Sequence, residues 1–161
     1  MALTCLPTLP SIILGVVEPL LLVWAYISAI ADPLAFYAGQ TPNHPLGPDE
    51  ELAPQARVFV LQLANVYLLL AAVAVICCWT PHARTARWYL FVVALADYGH
   101  IWATYRGVGD ELFWDVGGWN DMVWGSVGGS VALNLVRWTT LLGLWGEVGH
   151  VMAVGEAKKD T

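Results

Sequence analysis

Apolar residues run through this chain in four long stretches, and proline, glycine and charge collect in the short segments between them. The stretches cover 10–31, 55–79, 86–106 and 122–145. A helix needs about 20 mostly apolar residues to cross the hydrocarbon core of a bilayer, and each stretch has that length. The pattern predicts an all-α fold, a four-helix membrane bundle forming one domain over 1–161. The first stretch differs from a secretory signal, because no basic segment precedes it and Glu18-Pro19 interrupts its apolar run. It reads as a retained helix.

The connections differ in character. Segment 32–54 is rich in proline and acid and reads as a loop. Segment 80–85 is short and holds Pro81, which makes the second and third helices an antiparallel hairpin. Segment 107–121 carries Gly107, Gly109, Gly117 and Gly118 together with two aromatic clusters. There is no internal repeat, and the one polar tract is the tail 155–161.

Composition narrows the class. Of 161 residues, 58% are apolar and 12% charged, against about 25% charged in soluble domains. Mean hydropathy is +0.59. Disordered chains are rich in charge and poor in aromatics, whereas this one has nine Trp. Three cysteines, two of them adjacent, make no disulfide framework. A net charge of −6 with only seven Lys and Arg argues against nucleic acid as a partner.

Basic residues flanking the spans set orientation. With four helices, both termini and the 80–85 turn share one side. That side holds Arg84, Arg87, Lys158 and Lys159, and the other holds Arg57 and Arg106. Asp32, Asp49, Glu50, Glu51, Asp110, Glu111, Asp115 and Asp121 crowd the second side. The expectation is an endoplasmic reticulum membrane protein with both termini cytosolic, its oligomeric state open. Cys5, Cys77 and Cys78 then lie near the reducing face as free thiols.

Ionisable groups at membrane depth are costly, usually face the bundle interior and mark a site. Here they are Glu18, Asp97, His100 and Arg137, joined by Gln62, Asn65 and Asn134. Glu18 and Arg137 each lie about eight or nine residues from the cytosolic end of their spans, so they match in depth and can pair. Asp97 stands near the middle of the third helix, at the depth of Asn65. Asp97, His100 and Thr104 form one helical stripe, and Ser126, Ser130, Asn134 and Arg137 form another. Gln62 and Asn65 supply a third. These stripes predict a polar-lined internal cavity faced by Glu18, Asn65, Asp97, His100, Asn134 and Arg137.

Structural explanations compete for several of these residues. Gly125, Ser126, Gly129 and Ser130 suit close helix packing. Trp79, Trp88, Trp114 and Trp145 suit the interfacial belt. Glu18 with Arg137 can be a purely structural pair. A carboxylate and an imidazole on one face at mid-membrane have no such packing purpose. Their chemistry is acid–base, since a carboxyl group in a low-dielectric pocket can hold a proton near neutral pH and donate it. Histidine one turn away can orient it or take the proton back, and aromatic faces can steady positive charge developing on a hydrocarbon. Asn65 and Asn134 can position a hydroxyl or a water. No phosphate-binding loop, serine elbow or metal-ligand spacing is present. His44, His82, His100 and His150 are scattered, and no metal or cofactor is expected.

Taken together, several motifs resemble a fungal family of small four-helix membrane proteins long labelled as a domain of unknown function. They are Glu18-Pro19, Gln62-Leu63-Ala64-Asn65-Val66-Tyr67-Leu68, Ala96-Asp97-Tyr98-Gly99-His100, and Trp114-Asp115 with Trp119-Asn120 and Trp124-Gly125. The likeness runs over roughly 10–144. That family looks like a relative of the emopamil-binding-type (EXPERA) bundle, which includes a sterol isomerase and sterol-binding proteins. Some small membrane proteins of similar architecture in fungal metabolite clusters act as epoxide hydrolases or cyclases on polyketides and terpenoids. Substrate contacts are expected from Asn65, Tyr67, Trp119, Asn120, Asp121, Trp124, Asn134 and Arg137. The chain departs from the family pattern at Val123 and Ser126, where an acid and an Asn are usual, and carries its acid at Asp121 instead.

Three functions follow as expectations. The first is an enzyme that opens an epoxide of a lipophilic natural product by hydrolysis or cyclisation, with Asp97 the central acid–base residue. His100 would set its protonation and Glu18 would be the second carboxylate, kept ionised by Arg137, with Asp97 the deeper of the two acids. The second is a proton-initiated terpenoid cyclase or double-bond isomerase. The third is a non-catalytic sterol or lipid binder. In each the partners are a lipophilic small molecule and membrane lipid.

Overall fold

The computed structural model describes residues 3–47 and 50–149, so Asp49, His150, Lys158, Lys159 and the tail 155–161 lie outside the described residues. Among the described residues all regular structure is helical. Helix α1 is Thr8–Ala31, α2 is Pro33–Gly39, α3 is Pro54–Cys78 and α4 is Ala83–Trp114, while α5 covers 121–141. A single 3₁₀ turn, Val116–Gly118, links the last two.

Pro19 shapes α1. It has no N–H to give the carbonyl of Gly15 four residues back, and its ring would crowd that carbonyl. The helix answers with a π-bulge at Ile13–Val17, where the Glu18 N–H reaches Ile13 O. The spare carbonyl of Gly15 accepts from the indole Nε1 of Trp79 at 2.9 Å. Asp32 then ends α1 with φ −142° and accepts from the Ala35 N–H, and Pro33 opens α2. An Asp cap followed by Pro at the first helical position is a start signal. The segment expected to be loop throughout therefore contains a short helix.

Helix α4 runs beyond its expected end at 106. Gly109 stands at φ 77°, ψ 173°, which breaks the helical path without stopping it, and the last turn reaches Trp114. Helix α5 ends earlier than expected, at Leu141 rather than 145. Gly143 at φ 77° donates to Thr140 O, and the Leu144 N–H reaches back to Thr139 O. This is the Schellman closure that a left-handed glycine permits. Helix α5 also carries a π-bulge, Trp124–Gly129.

Helix α1 lies along α3, and α4 lies along α5. The main core gathers Cys5, Leu6, Leu14, Ala74, Cys78, Ala86, Tyr89, Leu90 and Val148 at one end. There the two ends of the described chain meet the turn between α3 and α4. The Cys5 N–H donates to Thr80 O and the Gly149 N–H to Cys5 O. The inward face of α3 is Val60, Ala64, Ala71, Ala74 and Cys78, whereas Phe59, Leu69 and Ile76 point outward. Both α1 and α3 are long and apolar enough to cross a membrane.

Candidate functional site

Arg137 is the largest fully buried side chain, at 1% exposure. Its guanidinium faces α1 and α4 together. Nη2 donates to Glu18 Oε1, and Nη1 donates to Asp97 Oδ2 at 2.7 Å. Asn134, one turn before Arg137 on α5, donates Nδ2 to the same Asp97 oxygen at 3.2 Å and to Ala94 O at 2.7 Å. The i, i+3 spacing of Asn134 and Arg137 puts both on one helix face. Planar guanidinium geometry lets one side chain serve two carboxylates, which a lysine could not do in the same way.

The cluster is not closed. Glu18 Oε2 and Arg137 Nε are buried and make no hydrogen bond, and Asp97 Oδ1 is free of hydrogen bonds within the described residues. Cys78 from α3 and Tyr89 from α4 stand close enough to Glu18 and Arg137 to interact with their charges. Removing one partner from such a buried set leaves an uncompensated charge, at a cost of about 3–5 kcal/mol.

Of the six residues expected to face one internal space, the fold brings Glu18, Asp97, Asn134 and Arg137 together. The cavity takes a different form. The charged groups touch one another directly, so the Arg137 side chain fills space that the helical stripes had assigned to a void. Asn65 and His100 do not share it. Asn65 is exposed on α3, one residue and about 100° round from the buried Ala64. His100 is exposed one turn beyond Asp97, near enough to feel its charge. Both acids are largely buried, the Asp97 side chain 12% exposed and that of Glu18 8%. Glu18 directly follows the π-bulge of α1 and is the less exposed of the two acids. Arg137 is not its counter-ion alone.

The remaining expected contacts lie elsewhere. Tyr67 is half-buried, edge-on to Phe36 at 6.3 Å. The 119–124 segment opens α5, about 20 Å along the helix from Asn134. Trp119 donates Nε1 to Leu112 O at 3.0 Å. Asn120 caps α5 by accepting from the Val123 N–H at 2.9 Å, and its Nδ2 holds Gly39 O of α2 at 3.0 Å. Asp121 is exposed. Trp124 packs edge-on to Trp119 at 5.0 Å and lies over Gly128, whose Cβ position would meet its ring at 2.8 Å.

Two residues escape the sequence pattern, Tyr89 beside the cluster and Trp79 at the bulge that precedes Glu18. Tyr89 gave no signal, being one aromatic among many on an apolar helix. Besides suiting the interfacial belt, Trp79 serves the carbonyl that Pro19 leaves spare, and the Glu18-Pro19 pair is the available clue.

The model of one protein family, described as Domain of unknown function (DUF7704), matches residues 3–147. No curated protein and no solved structure matches the chain.

Proposed function

We propose that this chain, which belongs to the DUF7704 family, is a four-helix membrane bundle that opens an epoxide of a lipophilic natural product by hydrolysis or cyclisation. The observation that carries this reading is Asp97 held by Arg137 and Asn134 through one oxygen while its other oxygen stays free.

The distribution of side-chain sizes supports the membrane part. Leu20, Leu21, Trp24, Ile27, Phe59 and Ile76 face outward, and the inward positions of α3 are mostly alanine. Lipid-facing helices pack through small residues because large apolar side chains lose nothing by facing lipid. In water the same surface would be an apolar patch far larger than soluble proteins tolerate. The expected location is the endoplasmic reticulum with both termini cytosolic, and kinship with the emopamil-binding-type bundle belongs to the same proposal.

The chemistry follows from charge balance. One guanidinium and two carboxylates sum to −1, and a single proton makes the trio neutral in a medium that penalises net charge. Asp97, the more accessible acid, delivers that proton to the oxirane oxygen as the carbon–oxygen bond breaks. Arg137 and Asn134 already point at Asp97 Oδ2, so the carboxylate formed meets preorganised donors. Water, or a hydroxyl of the substrate, attacks the carbon and gives its proton to His100, which returns it to Asp97. Glu18 fixes Arg137 from behind. An isomerase or terpenoid cyclase would use the same acid without the attacking water.

The test is incubation of membranes bearing the chain with a lipophilic epoxide in isotopically labelled water. A labelled diol identifies hydrolysis and an unlabelled cyclic ether identifies cyclisation. A chain that binds the epoxide and leaves it unchanged is a binder, and the enzymatic reading falls.

A further inference from the structure

At the end where the first and last described residues meet the α3–α4 turn, a surface groove of ≈ 440 Å³ runs between α4 and α5. Its lining is Arg84, Arg87, Trp88, Phe91 and Leu141. The two arginines stand within the first five residues of α4, a helix of 32 residues with no acid in its first turn. Its free N–H groups and dipole add to the positive potential there. Arg84 has no hydrogen bond or ion pair with any described residue. Arg87 spends one nitrogen on Val148 O at 2.9 Å and keeps the rest of its fork. Deeper along the groove the surface turns aromatic and aliphatic. Trp88, 59% exposed, meets Phe91 edge-on at 5.9 Å, and Phe91 meets Trp138 at 6.1 Å.

We infer that this groove is a binding site for an anionic phospholipid, whose phosphate lies between Arg84 and Arg87 and whose acyl chain lies against Trp88, Phe91 and Leu141. The inference rests on the membrane reading above and adds to it a specific ligand. A basic pair at the head of an apolar groove between two helices is the chemistry that selects acidic head groups. Arginine suits it further, because its planar fork matches phosphate oxygens in pairs. Free phosphate lacks anything to cover the apolar floor. The indole of Trp88 sits where an interfacial aromatic anchors the glycerol level of a lipid.

Purified full-length chain in phosphatidylcholine nanodiscs, with and without phosphatidylserine, tests this by native mass spectrometry of retained lipid. Phosphatidylserine should be retained in preference, and inorganic phosphate should not displace it. Arg84→Gln breaks no hydrogen bond or ion pair with a described residue and should weaken that retention about fivefold, at ~1 kcal/mol for each basic residue near an anionic lipid. The double variant Arg84→Gln, Arg87→Gln should weaken it about thirtyfold, the equivalent of ~2 kcal/mol. Arg57→Gln, at the opposite end of the helices, should leave it unchanged. Equal retention of both lipids, an effect of Arg57→Gln as large as that of Arg84→Gln, or a lipid-free dimer joined through the groove would overturn the site. A chain that enters neither nanodisc overturns the membrane reading and the site with it. One that inserts without preferring phosphatidylserine overturns the site alone.

Discussion

The indole of Trp79 donates to the carbonyl of Gly15, the acceptor that Pro19 leaves without its helical donor. The contact is close enough to require glycine, since a Cβ at position 15 would stand 2.8 Å from Trp79 Nε1 and 3.0 Å from Cys78 Cβ. It locks the bulge of α1 against the end of α3 one turn from Glu18. Trp79→Phe keeps the ring and strands the carbonyl, so thermal or denaturant unfolding in detergent should show a loss of about 1–3 kcal/mol. Gly15→Ala should unfold at least as easily. Unchanged stability in both would mean that Trp79 is an interfacial residue only.

The trio around Arg137 makes a prediction that separates charge balance from chemistry. Arg137→Met leaves two buried carboxylates without a counter-ion and should cost about 3–5 kcal/mol. Adding Glu18→Gln and Asp97→Asn removes those charges and should restore most of the stability. Catalysis should stay absent in the triple variant. Unfolding midpoints and turnover measured on the same preparations check both halves.

Much of this was legible in the residues, and the exceptions have physical causes. Charged side chains in apolar runs are conspicuous, which is why Glu18, Asp97 and Arg137 stood out and why their depths could be matched. Helix α3 is apolar almost all round, so its periodicity gave no phase, and Asn65 was assigned inward although the alanines take that face. Asp32-Pro33 was a visible helix start, hidden by the proline and acid that surround it. Gly109 was read as part of a loop, yet its left-handed backbone continues α4 along a new line. A capping amide and a binding amide are the same group in a sequence, so the cap that Asn120 forms was not visible beside its expected ligand contact.

That last distinction can be measured. Asn120→Ala removes the cap of α5 and the bond to Gly39, and should cost about 1–2 kcal/mol. Turnover per folded molecule should hold. A fall in turnover at unchanged stability would return Asn120 to the substrate site.

Cys5 lies before α1, and burial pushes its thiol above the usual range. The thiolate is the reactive form, so alkylation of Cys5 at neutral pH should be slower than for an exposed cysteine. Because the shift is upward, the rate should keep climbing with pH after a free thiol has levelled off. Mass spectrometry of the Cys5 peptide across a pH series reads this directly, and a plateau in step with free cysteine would contradict the packing of the N-terminal segment.

The most direct measurement is turnover of a lipophilic epoxide by membranes carrying Asp97→Asn or Asp121→Asn at matched expression. Asn at position 97 keeps the shape and loses the transferable proton. Turnover should drop by at least the ~10²-fold expected of general acid–base catalysis. Asp121, exposed at the head of α5, should tolerate the change with little loss. Normal turnover with Asp97→Asn and abolished turnover with Asp121→Asn would place the chemistry at the 119–121 segment and contradict the role assigned to Asp97.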